Sequence, residues 1–164
     1  MPSYQVAGDV QQQRWALQKA LQAEPTDPDV AWQVANFYLV DSDVPRALPL
    51  FRTVIENDPA KVDAALQLCW QVTNNINAIL NLAVLSESNT YFALMDLLIN
   101  RDEASPAAAV WRRLASLKQN FRAAAAFPYF DYLVKRHATD SASRFGRHWR
   151  RKATNSQAIA NPVI

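Results

Sequence analysis

Glycine is nearly missing from this chain: its 164 residues hold two, Gly8 and Gly146. Phosphate-cradling loops, nucleophile elbows and dinucleotide fingerprints each need several glycines, so these classes are excluded. Cysteine and histidine are almost as scarce, with Cys69, His137 and His148 the whole supply. That rules out a disulfide framework and any zinc site built on several Cys/His ligands. Long apolar runs are also lacking. The longest spans residues 78–85 and is interrupted by Asn81, far short of the roughly 20 residues that cross a bilayer. The opening MPSYQVAGDVQQQR has no basic start followed by an apolar stretch, so no secretory signal is readable. The expected location is the cytoplasm, or an envelope complex reached through a larger assembly.

Catalytic groupings are equally thin. Cys69 sits in the apolar run LQLCW, where a buried, inert thiol is expected. A thiol nucleophile needs a nearby base, and both histidines lie in the distant C-terminal part. His137 and His148 are eleven residues apart with only Asp140 close by, which is not the i, i+4 spacing of a metal pair on a helix face. They read as solvated side chains. The acid pairs Asp41/Asp43 and Asp102/Glu103 fall in predicted turns, where such residues cap helices. No enzyme activity, metal or cofactor is expected.

What is present is a chain long enough to bury a core without staples, with its charge split unevenly. Residues 1–111 hold 6 Lys/Arg against 13 Asp/Glu, net −7, and residues 112–164 hold 11 against 2, net +9. Such a division suggests two surfaces with different partners, or a basic tail that folds onto an acidic body. Alanine is abundant and period-two alternation of β-branched residues is missing, so nearly everything reads as helix. Turn signals punctuate it at EPTDPD (24–29), DSDVP (41–45), ENDP (56–59), TNNIN (73–77), SESN (86–89) and NRDEASP (100–106). Asp43 before Pro45 and Ser105 before Pro106 carry helix-start chemistry.

A repeat underlies this punctuation. Pro25 and Pro59 are 34 residues apart, and at the same offset Leu17 matches Phe51, Ala20 matches Val54, Leu21 matches Ile55 and Glu24 matches Asp58. One more helix, roughly 29–40, lies between the two copies, so the unit is helix–turn–helix. This unit resembles the tetratricopeptide repeat. Starting at Pro28, small residues fall at Ala35 and Ala47, aromatic ones at Tyr38 and Phe51, and the closing proline at Pro59. Val34 and Val54 are conservative replacements, and the position often held by tryptophan is Ala31, with Trp32 beside it. A weaker copy covers 88–121, with Tyr91, Leu94, Leu98, Ala107 and Trp111 in place, Met95 for a small residue and Gln119 for the proline. Residues 62–87 form a shortened pair and 122–145 a worn copy with Phe145 as its plug.

The resemblance covers roughly residues 12–145, and segments of it look like ones found in bacterial tetratricopeptide-repeat proteins, often long and envelope-associated. It implies an all-α, right-handed solenoid of antiparallel helix–turn–helix repeats over 10–145, between a flexible N-terminus (1–9) and a basic, disordered tail (146–164). The first helix, 10–24, lacks a preceding partner, leaving Trp15, Leu17, Ala20 and Leu21 without cover unless residues 1–9 fold back. The chain then reads as a piece of a longer array or a truncated product, and a homo-oligomer through that helix is one expectation.

The resemblance also implies a function: a protein-interaction module, scaffold or adaptor holding a partner peptide or helix in its concave groove. The groove would be lined by Trp32, Asn36, Leu39 and Val40, then Gln67 and Trp70, then Phe92, Asp96 and Ile99. Asn36 sits where the family's peptide-clamping asparagine sits, and an amide can hold a peptide backbone by donor and acceptor together. The family's neighbouring lysine is replaced by Trp32, so the groove suits an apolar or helical segment with aromatic anchors better than a terminal carboxylate. Trp32 and Trp70 are also candidates for the core. A second reading rests on Arg144, Arg147, Arg150, Arg151 and Lys152, interleaved with Phe145, His148 and Trp149. Cations with aromatics suit a nucleic acid or an anionic surface.

Overall fold

The computed structural model describes residues 3–83, 87–117 and 120–140. All of the regular structure in them is helical. The order is α1 (Ser3–Ala23), α2 (Pro28–Val40), α3 (Val44–Asn57), a 3-10 turn (Pro59–Lys61), α4 (Val62–Thr73), α5 (Ile76–Leu82), α6 (Ser88–Asn100) and α7 (Ala104–Ser116). A second 3-10 turn (Ala123–Ala126) then leads into α8, residues 127–140. Two compact units divide the chain, Met1–Phe121 and Arg122–Ile164.

Short polar side chains start these helices. The Asp27 carboxylate accepts from the backbone N–H groups of Asp29 and Val30, both at 2.8 Å, with Pro28 in the first turn where its missing N–H costs nothing. Asp43 accepts from the Arg46 N–H at the start of α3, and the Asn75 side-chain oxygen accepts from the Asn77 and Ala78 N–H groups at the start of α5. Ser105 differs from expectation. Helix α7 already starts at Ala104, so Ser105 lies inside its first turn and no side chain caps that end.

The turns between paired helices need left-handed backbone, which glycine usually supplies. Here Ser42 (φ 60°) and Asp102 (φ 57°) take that role. In both turns the hydrogen bonds follow the Schellman pattern. Ser42 N–H reaches Leu39 C=O at 3.0 Å and Asp43 N–H reaches Tyr38 C=O at 2.8 Å. Asp102 N–H reaches Ile99 C=O at 3.0 Å and Glu103 N–H reaches Leu98 C=O at 2.9 Å. A third left-handed residue, Asn74, ends α4 and forces the tight turn into α5.

Within Met1–Phe121, α2 packs on α3, α4 on α5 and α6 on α7. Helix α3 also touches α4 and α5, α4 touches α6, and α5 touches α7. The closest approaches use alanine: Ala31, Ala35, Ala47, Ala65 and Ala107 are fully buried. Larger side chains fill the space between them. Phe51 is 0% exposed and meets Trp32 edge to face, ring centroids 5.7 Å apart, a geometry favoured by the ring quadrupoles. Trp70 is buried, which resolves its two readings in favour of the core. Cys69 is buried as well.

Helix α1 begins at Ser3, ahead of the expected helix start at residue 10. No residue from Ser3 to Ala23 breaks a helix except the tolerated Gly8. The cover over α1 is also better than expected on one side. Leu17, Ala20 and Leu21 are half-buried, and α1 packs on α2. Trp15, two residues from Leu17 and so on the far side of the helix, stays 62% exposed.

In Arg122–Ile164, Ala126 and Tyr129 are buried, while Phe127, Phe130 and Val134 are exposed along α8. Residues 141–164 lie outside the described residues, and with them Phe145, His148, Trp149 and the basic cluster Arg144, Arg147, Arg150, Arg151 and Lys152. Gln119 lies outside them too.

Candidate functional site

A cleft of about 580 Å³ opens between α1 and α2. Helix α2 lends Trp32, Gln33, Asn36, Phe37 and Val40, the residues that a period of 3.6 puts on one broad face, and Asp41 closes its C-terminal end. Helix α1 lends Val10, Gln13 and Leu17, again at helical spacing. The volume lies within the range of small-ligand and side-chain pockets. Its walls are apolar, and three amides, Gln13, Gln33 and Asn36, stand among them.

Two sets of contacts flank the cleft. Arg14 of α1 forms an ion pair with Asp41, and its guanidinium carbon lies 5.5 Å from the centre of the Phe37 ring. One side chain thereby ties α1 to the C-terminal end of α2 through charge and cation–π attraction. On the other side, Trp32 is pinned by Phe51. The Asn36 amide donates one N–H to the Trp32 carbonyl at 2.8 Å. Its second N–H and its oxygen have no other partner among the described residues. Val40, 84% exposed, stands at the mouth.

The predicted groove residues therefore separate. Trp32 and Asn36 come together with α1. Leu39 is half-buried and lines no part of this cleft. Gln67 is exposed on α4. Phe92 packs edge to face on Phe121 at 5.3 Å, and Phe121 in turn meets Trp111 at 6.1 Å. Asp96 is exposed on α6, and burial of its base, together with the Asp63 carboxylate of α4, raises its carboxyl above the usual range. Ile99 is half-buried. Sequence reasoning missed Val10, Gln13, Gln33, Phe37 and Asp41. Gln33 and Phe37 directly follow Trp32 and Asn36 on the same broad helix face, a signal that was present. The α1 contribution had none, because it depends on how two helices cross.

Lys61 and its two carboxylate partners take a structural role. Lys61 bonds to Asp29 at 2.6 Å and to Asp58 at 2.7 Å, tying the turn after α3 back to the start of α2. The Lys61 ammonium holds the Asp58 carboxyl below its usual value, and the two carboxylates, Asp29 first, raise Lys61. Burial pushes the Cys69 thiol up to about 12, so it stays protonated. Among the described residues no cluster of His, Cys, Asp and Glu could hold a metal ion, and no helix is long and apolar enough to cross a membrane. No protein-family model, curated protein or solved structure matches the chain.

Proposed function

We propose that the chain is a tetratricopeptide-type, right-handed solenoid that serves as a protein-interaction module, scaffold or adaptor. Two helix pairs with the same Schellman turn, and the contacts of α3 with α4 and α5, of α4 with α6 and of α5 with α7, support the solenoid. The observation that carries the function is the cleft between α1 and α2, with an apolar interior and amides of unspent hydrogen-bonding capacity. Such a surface suits one apolar side chain of a partner segment, with its backbone registered by Asn36 and the glutamines.

Mutation of Trp32 would disturb Phe51 and the core, so the test uses the cleft mouth. Val40→Asp and Asn36→Ala alter exposed or half-buried groups and are expected to leave helix content unchanged. With the purified chain as bait in nuclease-treated lysate, proteins retained by the wild type should be lost with both variants. Equal capture by all three would refute the cleft as the binding surface. Capture that survives both variants but disappears when residues 144–152 are neutralised would transfer the function to the basic segment.

A further inference from the structure

A second cleft, of about 360 Å³, lies between α5 and α7, away from the residues of the first. On α7 it is lined by Ala109, Arg112, Arg113 and Ser116, the i, i+3, i+4, i+7 face of one helix. On α5 it is lined by Asn77, Leu80 and Asn81. Leu80 is buried and Ala109 is small, so the space is bounded by apolar atoms below and polar groups at the rim.

The charge in this cleft is of one sign. The chain carries no charged residue from Ala64 to Ser86, and from Ala104 to Leu117 only Arg112 and Arg113. Neither guanidinium has a carboxylate partner among the described residues. Arg112 makes one long bond, Nε–H to the Ala108 carbonyl at 3.4 Å. The equivalent arginine sixty residues earlier is differently placed. Arg52 pairs with Glu56 one turn on, at 3.4 Å. At the corresponding position α7 has Ser116, whose hydroxyl turns back to the Arg113 carbonyl at 2.6 Å. One repeat copy neutralises its arginine internally; the other removes the acid, adds a second arginine and faces both with two asparagine amides.

We propose that the α5–α7 cleft is a phosphate site, in which Arg112 and Arg113 take the dianion and the Asn77 and Asn81 side-chain amides supply neutral donors. Guanidinium forks match the oxygen spacing of phosphate and bind it by two parallel hydrogen bonds. The volume admits a phosphate carried on a larger group, so inorganic phosphate and a phosphomonoester are both eligible sources.

The test is a titration of the full-length chain, labelled with nitrogen-15, at constant ionic strength. The probes are inorganic phosphate, O-phosphoserine and acetate. Saturating shifts confined to the Asn77 and Asn81 side-chain amides and the Arg112 and Arg113 Nε–H groups are expected with both phosphates. Tighter binding of O-phosphoserine assigns the site to a phosphomonoester, and equal binding to phosphate itself; both support it. Ser116→Glu rebuilds the Arg52–Glu56 arrangement and should weaken phosphate binding about tenfold or more. Asn81→Leu provides a second, uncharged disruption should that variant fail to fold. Shifts that do not saturate, acetate binding as tightly as phosphate, or full affinity in folded Ser116→Glu would overturn the proposal.

Discussion

The helix pairs α2–α3 and α6–α7 begin 60 residues apart and turn the same corner, yet they are closed by opposite chemistry. In the first pair Lys61 lies between two carboxylates, Asp29 and Asp58. In the second, Phe121 occupies the corresponding place and lies between two rings, Phe92 and Trp111. The interiors differ as well: Ala35 of the first pair becomes Met95 in the second, both buried, while Ala47 and Ala107 are unchanged. The backbone of the unit is thus set by the left-handed turn and by one invariant small residue. What fills and seals it is exchangeable between charge and apolar surface, as long as each copy is consistent within itself.

The largest effects should come from exchanging the interiors. Met95→Ala removes a fully buried side chain and leaves a cavity, at a cost of about 2–5 kcal/mol. The reciprocal Ala35→Met overpacks the α2–α3 crossing, at about 1–3 kcal/mol. Urea unfolding measures both. If Ala35→Met were neutral, the two crossings would have the same spacing, and the contrast between the copies would fail.

The seals come next. Phe121→Ala takes one half-buried ring out of two edge-to-face pairs and should cost about 2–3 kcal/mol, nearly independent of salt. Lys61→Ala should cost less, because its partners and its own ammonium are reached by water, and its effect should fade in high salt. Unfolding at low and high ionic strength separates the two. Equal salt dependence would mean that the seals are not of different kinds.

The first copy was largely legible in the sequence and the second less so, for reasons visible in these residues. Asp27–Pro28, Asp43 with Pro45, and Asp58–Pro59 are strong local signals, and the helices between them fall where expected. The pairing of Trp32 with Asn36 in one site was legible because both lie on one helix. Phe121 as a seal was not, since only the packing of α6 on α7 brings Phe92 and Trp111 to it. The same holds for the α5–α7 cleft, which joins an uncharged segment to two arginines more than 30 residues away.

Smaller effects should come from the corners. Ser42 and Asp102 hold a conformation that costs a residue with a Cβ about 1–2 kcal/mol, less for aspartate, whose side chain tolerates it. Ser42→Gly should therefore stabilise the chain by up to about 1 kcal/mol after the added entropy of the unfolded state. Asp102→Gly should gain less. Thermal melts of the two single variants rank them, and a loss of stability at Ser42 would show that the serine side chain contributes more than the turn geometry demands.

The smallest effect is also the sharpest comparison, because Asp96 stands where the first copy has Asn36. Burial, and secondarily the Asp63 carboxylate, makes Asp96 easier to protonate in the folded chain than in the unfolded one. A carboxyl raised in this way destabilises the fold when ionised. The deficit is absent below the ordinary aspartate value, 3.8, grows as pH rises through the folded value, and is complete at neutral pH. Asp96→Asn removes the charge and copies the residue of the first helix pair. It should raise stability at neutral pH and leave stability unchanged near pH ~3, where the wild-type carboxyl is mostly protonated. Asp63→Asn should give part of the same gain by relieving the like charge, and the two gains should fall short of additivity because they share one interaction. A gain from Asp96→Asn that persisted unchanged into acid would instead assign the difference to packing of the amide, and the two copies would then differ at this position by shape rather than by charge.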